Sequence, residues 1–361
     1  MYTQGKAVYK RESKLPESSI AEVVMKRKAA IVGCGGIARV HARALEALDG
    51  VELCAFVDCR TERAAEFAAC YGGGRAKKYG DLEGMLAAER PDVVHICTPH
   101  YLHVPMALKV LESGGAVFME KPPAISGQQF AELKRAAGNK ERVGICFQNR
   151  YNAAVRKVDE LLEEGTLGEV KGGRAFVTWC REAEYYQGSD WRGRQETEGG
   201  GALINQAIHT LDLLLRWLGE PDRVEASMSN HHLQGVIEVE DMAEAFLQFP
   251  GGRRACFYAT TAYVSDAPIL IELACEKGSI RLEEEKVTVR FRQGDEAAYT
   301  YQKGQAEGKA YWGSGHAACI CDFYQCLERG TPFANNLQSV ENTLRVMMQI
   351  YESAGRKGEE K

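Results

Sequence analysis

The chain of 361 residues contains no C-x-x-C pair, no long apolar run and no block of like charge. Each absence excludes something. The twelve cysteines are scattered, mostly within apolar runs such as Val93-Val94-His95-Ile96-Cys97. The one close spacing, Cys319-x-Cys321, falls on an expected helix, where side chains two residues apart diverge by about 200°. Neither a disulfide framework nor a zinc centre is therefore expected; the cysteines read as buried free thiols of a reducing cytoplasm, and no metal site is expected. Without about eighteen consecutive apolar residues there is no membrane-spanning helix to place. Residues 1–27 lack the apolar core of a secretory signal, carrying instead Lys6, Lys10, Arg11, Glu12, Lys14, Glu17 and Glu22. They read as a polar extension, either a loose arm or one that wraps a neighbouring subunit. With 45 basic against 50 acidic residues, a net charge of −5, nucleic acid and anionic membrane are not expected partners. Apolar residues at 45% and charged residues at 26% exclude a disordered chain, a collagen-like repeat and a coiled coil. The length exceeds what one core usually serves, so two domains are expected.

What is present from Lys28 onward is an alternation of short apolar runs with amphipathic segments, the pattern of βαβ units. Strands are expected at 28–32, 51–57, 92–98, 116–119 and 143–147, with helices after Gly36, after Thr61 as N-cap, at 102–113 and at 126–137. Residues 28–148 thus read as a doubly wound, mostly parallel sheet of the Rossmann type. Beyond Arg150 the pattern changes. A helix at 153–164 precedes strand-like alternation through Trp179, a helical block spans 199–218, and several strands follow from Val224 to Arg292. These need no crossover helices, so residues 149–361 read as an α+β domain built on a large, mostly antiparallel open sheet, closed by helices at 315–329 and 338–354. A ligand is expected between the two domains.

Gly33-Cys34-Gly35-Gly36-Ile37-Ala38 fits the dinucleotide fingerprint with alanine last. The first glycine makes the tight turn, the second lets backbone approach a pyrophosphate, and Ala38 lets the new helix pack closely on its strand. The helix N-terminus then faces the anion. Asp58 follows Ala38 by 20 residues, at the end of the second strand. It can accept hydrogen bonds from a ribose and would repel a 2′-phosphate, which favours NAD over NADP; Arg60 argues the other way, since a guanidinium can hold that phosphate.

Three further segments complete the pattern: Thr98-Pro99-His100-Tyr101-Leu102-His103, Glu120-Lys121-Pro122, and Gly199-Gly200-Gly201 through Asn205, His209 and Asp212. With the fingerprint, their order and spacing resemble the Gfo/Idh/MocA family of NAD(P)-dependent sugar and cyclitol oxidoreductases, from about Lys28 to Ala354. Independently of that resemblance, the residues suit alcohol oxidation. The hydroxyl proton must leave as hydride moves, and a histidine is the natural acceptor. A lysine fixed by the following proline can stabilise a developing alkoxide. The resemblance assigns these roles to His209 and Lys121, and implies that Thr98, Pro99, His100, His103 and Glu120 border the cofactor, His103 reading either as a helix cap or as a residue that shapes the cofactor site. Many members carry aspartate where this chain has Asn205. Asn205 can bind a substrate hydroxyl or orient the imidazole, and Asp212, one turn beyond His209, either supplies the missing charge or forms a salt bridge. His41, His95, His231, His232 and His316 read as packing or surface residues.

The stretch Trp179–Arg194 concentrates Trp179, Arg181, Tyr185, Tyr186, Trp191 and Arg192 among glycines and charges. Aromatic faces pack against pyranose rings and arginines grip hydroxyls or carboxylates, so these residues, with Arg150 and Tyr151, are expected to bind substrate. The same stretch also suits a rim of subunit contacts, and a homo-oligomer formed through the second sheet is expected. The leading reading is oxidation of a secondary hydroxyl on a sugar, glycoside (C3 being one case) or cyclitol. An NAD-assisted glycosidase working through a transient keto-sugar, with Tyr185 or Tyr186 as acid/base, is a second reading. A non-catalytic dinucleotide-binding regulator is a third, opposed by the presence of both Lys121 and His209.

Overall fold

The computed structural model describes residues 26–138, 142–302 and 315–359. The expected polar extension falls almost wholly outside them. The first sheet comprises β1 (Arg27–Val32), β2 (Val51–Val57), β3 (Lys77–Tyr79), β4 (Val93–Ile96), β5 (Ala116–Glu120) and β6 (Val143–Cys146). Its order is β3-β2-β1-β4-β5-β6 and every pairing is parallel. The crossover helices are α1 (Gly36–Glu46), α2 (Thr61–Cys70), α3 (Leu82–Glu89), α4 (His103–Glu112) and α5 (Gly127–Ala137). Helices on both faces explain why β4, β5 and β6 are buried at every position and read as continuous apolar runs. The strand β3 and helix α3 are additions to the elements expected from sequence. Lys77-Lys78-Tyr79 is too short and polar to stand out, because it is an edge strand with one neighbour. Thr61 is also not the cap of α2: Arg60 precedes the helix, and no side chain caps it.

The second domain adds α6 (Ala153–Glu163), β7 (Val170–Thr178), the short α7 (Ala183–Gln187) and α8 (Gln195–Glu198), and α9 (Ile208–Leu218). Strands β8 (Arg223–Ser229), β9 (Met242–Gln248), β10 (Arg254–Thr260), β11 (Leu270–Cys275), β12 (Gly278–Glu283), β13 (Lys286–Phe291) and β14 (Glu296–Thr300) follow, then α10 (His316–Arg329) and α11 (Leu337–Glu359). The sheet runs β14-β13-β12-β11-β7-β10-β9-β8, antiparallel except for the β7–β10 pair. Strands such as β9 and β10 alternate buried and exposed residues, so one face is covered and the other open. Leu211 and Leu214 of α9 and Leu344 and Met347 of α11 share a core with Ala175, Leu247 and Leu273 of the sheet.

The helical block after Gly201 is not one α-helix. Ala202–Ala207 forms a π-helical turn and α9 begins at Ile208. The buried Glu240 carboxylate accepts the backbone N–H groups of Gly201 (2.8 Å) and Leu203 (3.0 Å), capping the first turn. The glycine triplet serves this junction: a Cβ at Gly200 would overlap the Tyr351 hydroxyl, and one at Gly201 the Glu240 carbonyl. These glycines pack against protein, not against ligand as their sequence context suggested.

The end of the chain returns to the first sheet. Phe323 of α10 packs against Phe118 and Phe333 at 5.1 and 5.2 Å between ring centroids. A second tie is ionic. Arg150 is held by Asp212 through Nε (2.7 Å) and Nη2 (2.5 Å), and Thr343 of α11 donates to the same carboxylate at 2.7 Å. Both charges are buried. Removing one partner of a buried pair leaves the other uncompensated, so Asp212→Ala is expected to cost about 3–5 kcal/mol of stability in a denaturant titration.

Candidate functional site

One cavity of about 550 Å³ lies between the domains, walled by the ends of the first sheet and by segment 179–209. Its floor is the glycine loop. Gly33 has φ +88°, and a Cβ there would stand 2.7 Å from the Cys97 carbonyl, so no other residue fits the crossing from β1 to α1. Gly35 and Gly36 also line the cavity, and a side chain at Gly35 would meet no protein atom within 4 Å. Ile37 lines the wall and Ala38 is fully buried beneath it. Asp58 closes one end. Its carboxylate accepts the N–H of Cys34 (2.9 Å) and of Arg60 (2.8 Å), which ties the glycine loop to the end of β2. The Arg60 guanidinium pairs with Asp190 of the second domain at 2.5 Å, spanning the cavity mouth. Thr98, Pro99, His100, His103, Glu120 and Lys121 line the middle. The Thr98 hydroxyl is buried and lacks a hydrogen-bond partner, as expected of a group waiting for a ligand. Open backbone at Gly35, an acid at the ribose end and an orphaned hydroxyl between them fit a dinucleotide.

Lys121 and His209 meet in this same cavity. Lys121 follows β5, and its Nζ donates to the Asn205 backbone carbonyl (2.7 Å) and to Asn205 Oδ1 (3.2 Å). Burial lowers its pKa, against the opposing pull of Glu120 and Glu198. His209 packs edge-on to Phe147 at 5.5 Å, and its Nδ1 is enclosed without a partner. Burial first, and the Lys121 charge second, hold its pKa well below the ordinary histidine value. The imidazole is therefore neutral at neutral pH, with one ring nitrogen unprotonated. Asn205 thus contacts the lysine. Asp212, committed to Arg150 and Thr343, does not line the cavity.

Of the residues expected to bind substrate, Trp179, Arg181, Tyr185, Trp191, Arg192, Asn205 and His209 all line the cavity. The guanidinium of Arg192 sits 4.7 Å from the Tyr185 ring centre and 4.9 Å from that of Trp191. Arg150, Tyr151 and Tyr186 do not line it. Arg150 serves the ion pair already described, Tyr151 donates to Asp322 at 2.6 Å, and Tyr186 is buried with Leu233, Ile237 and Val239. All three carry long side chains whose destination depends on tertiary packing.

Gln148, Gln206 and His316 also line the cavity; His316 thus faces the site rather than serving only as the packing or surface residue expected from sequence. Glu120 rests on a buried chain. His41 Nε2 lies 2.9 Å from its carboxylate, His41 Nδ1 lies 2.9 Å from His95 Nδ1, and His95 Nε2 lies 3.0 Å from the Tyr324 hydroxyl. Burial would raise the Glu120 carboxyl, but His41, His316 and Lys121 hold it well below the usual range. His103, the first residue of α4, places Nδ1 2.8 Å from the Pro122 carbonyl and Nε2 3.0 Å from that of Thr98, joining the two loops beside the cavity.

A neutral histidine and a half-buried lysine lining a cavity that fits a dinucleotide suit hydride transfer, and the chain is an NAD-dependent oxidoreductase. It belongs to the GFO/IDH/MocA family. Residues 27–147 match that family's NAD-binding Rossmann-fold model, and residues 155–281 its C-terminal domain. Relatives include D-glucoside 3-dehydrogenase of Escherichia coli, 33% identical over 58% of this chain and 58% of that one. D-apiose dehydrogenase of Paraburkholderia graminis is 26% identical over 93% of this chain and 90% of that enzyme. Among solved structures, the WlbA dehydrogenase of Bordetella pertussis, in complex with NADH and UDP-GlcNAcA, superposes with a TM-score of 0.78 at 27% identity, over 92% of this chain and 97% of that one. No helix among the described residues is long and apolar enough to cross a membrane.

The buried histidines in and behind the site also set a pH limit. Burial lowers the pKa of His95, His100 and His103, and takes His316 down to about 4. Below the ordinary value of 6.5 the unfolded chain binds protons that the folded one refuses, so the stability these four histidines contribute is full above pH 6.5 and falls on acidification. For His316 the loss runs from about 6.5 to about 4, at about 1.4 kcal/mol per pH unit for each such group. Thermal melts should show a fall across this interval, lessened in His316→Gln.

Proposed function

We propose that the protein oxidises a secondary hydroxyl of a sugar, glycoside or cyclitol with NAD, using His209 as general base and Lys121 to hold the reacting oxygen. The observation that carries this reading is the convergence of Lys121, His209 and the glycine loop on one cavity. NAD bound there supplies the hydride acceptor. The substrate hydroxyl lies between the Lys121 ammonium and the imidazole, and its proton passes to the ring nitrogen that faces the cavity. Developing negative charge on oxygen is met by the ammonium, which Asn205 keeps from swinging away. Asn205, hydrogen-bonded to Lys121, thereby orients the cation. Trp179, Tyr185 and Trp191 offer apolar faces to a sugar ring, while Arg181 and Arg192 offer donors to its hydroxyls or to a carboxylate. Oxidation at C3 of a glycoside is supported by the likeness to D-glucoside 3-dehydrogenase. Asp58 at the ribose end, with Arg60 drawn to Asp190, supports NAD rather than NADP. The open face of the second sheet, with Phe246 exposed, supports a homo-oligomer.

An NAD-assisted glycosidase is the second reading, because Tyr185, whose hydroxyl accepts from Gln206 Nε2 at 3.5 Å, lines the cavity and carries a proton that a leaving group could take. A panel of glycosides, free sugars, nucleotide sugars and inositols with NAD separates the two. Stoichiometric NADH with a keto product is expected. Aglycone released without net NADH would select the glycosidase, and tight NAD binding without turnover of any panel member would select a regulator. On a confirmed substrate, His209→Ala should lower kcat by about 10²–10⁴-fold; full retention would remove His209 as the base.

A further inference from the structure

The buried carboxyl of Glu198, the last residue of α8, is fully enclosed behind the cavity wall. Its Oε1 accepts from Asn205 Nδ2, and its Oε2 accepts the N–H of Gly193. Its backbone carbonyl lies 2.9 Å from His100 Nδ1. Asn205 in turn accepts from Lys121 Nζ through Oδ1. A carboxylate has no proton to give, so only the amide nitrogen of Asn205 can face it, and the amide oxygen is thereby turned toward the ammonium. Which Asn205 atom Lys121 meets is decided one residue further back.

We propose that Glu198 is a positioning residue for Lys121, acting through Asn205: its carboxylate fixes the amide orientation and supplies, at one remove, the negative charge that keeps Lys121 an oriented cation. The groups facing Glu198 agree with this role. Arg192 and Lys121 are the cations near it, Glu240 is the opposing carboxylate, and Tyr186 and Tyr351 complete its electrostatic surroundings. Burial pushes the carboxyl up to about 7, against the hydrogen bonds from Gly193 and Asn205. Protonation near neutrality would put a donor where Asn205 Nδ2 needs an acceptor, and the Lys121 contact would loosen as pH falls through that value.

This inference rests on the reading of Lys121 as the cation at the reacting oxygen, but its test needs no substrate. Competitive acetylation of the full chain with acetic anhydride across pH, with and without NAD, read by peptide mass spectrometry at Lys121, gives the lysine's titration midpoint. Glu198→Gln has the same shape but presents an amide N–H₂ to donors already there, so Asn205 must reverse and turn Nδ2 toward Lys121. The midpoint is expected to fall by about one unit, a tenfold faster labelling at a fixed pH below it. Adding Asn205→Asp restores an acceptor toward both the introduced amide and Lys121, and the double variant E198Q/N205D is expected to return labelling to within about twofold of the wild type, on the same pKa scale. An unchanged midpoint in E198Q would overturn the proposal, and so would a shift that E198Q/N205D does not reverse. If E198Q does not fold, Asn205→Leu cuts the same chain at its middle, and the same downward shift is required. A chain that labels as expected yet oxidises nothing would refute the assigned reaction and leave the Glu198 role standing; the converse pair of results would do the reverse.

Discussion

A lysine ammonium withdrawn from water has to be surrounded by acceptors, and much of this site is arranged around that requirement. Lys121 is half-buried and feels two carboxyls, Glu120 beside it in sequence and Glu198 from the second domain. Each is itself fixed: Glu120 by His41 and the buried chain behind it, Glu198 by Gly193 and Asn205. Neither carboxylate is free to swing onto the ammonium and neutralise it as an isolated pair, so the charge remains available to a third party. Asn205, bound through both its backbone and side-chain oxygens, sets the direction in which it points.

The same constraint links the two domains. Lys121 arrives on the parallel sheet, whereas Asn205, His209 and Glu198 arrive on segments of the second domain, and the cavity exists only where they meet. Glu240 pins the π-helical turn, the Arg150–Asp212 pair joins the end of β6 to α9 and α11, and α10 returns to the first sheet. None of these contacts touches the cavity, yet each helps to fix where Asn205 and His209 stand relative to Lys121.

Much of the architecture was legible in the sequence because its physical signals are local. Continuous apolar strands, a helix opening on glycine and an acid 20 residues beyond Ala38 need only neighbours in the chain. The cavity residues Trp179, Arg181, Tyr185, Trp191 and Arg192 were visible as aromatics and arginines in a stretch too polar for a core. What escaped was set by distant partners. Tyr186 lies next to Tyr185 but falls into a small apolar cluster, and Arg150 is claimed by a carboxylate 62 residues away. His316 reaches the cavity from the far end of the chain, and Glu198 takes its place through Gly193, Asn205 and His100, the last of them 98 residues away. The glycine triplet carries a real signal whose partner is protein rather than ligand: it makes room for Tyr351 and Glu240.

Every assigned role depends on hydride leaving a carbinol carbon within this cavity. The most direct measurement is the mass of the NADH formed when NAD and the protein are given sugars and glycosides deuterated in turn at each carbinol position. Deuterium in the nicotinamide from one labelled carbon, with the corresponding ketone as product, is the result that hydride transfer to NAD predicts. Tight NAD binding with no deuterated NADH from any labelled position would contradict it.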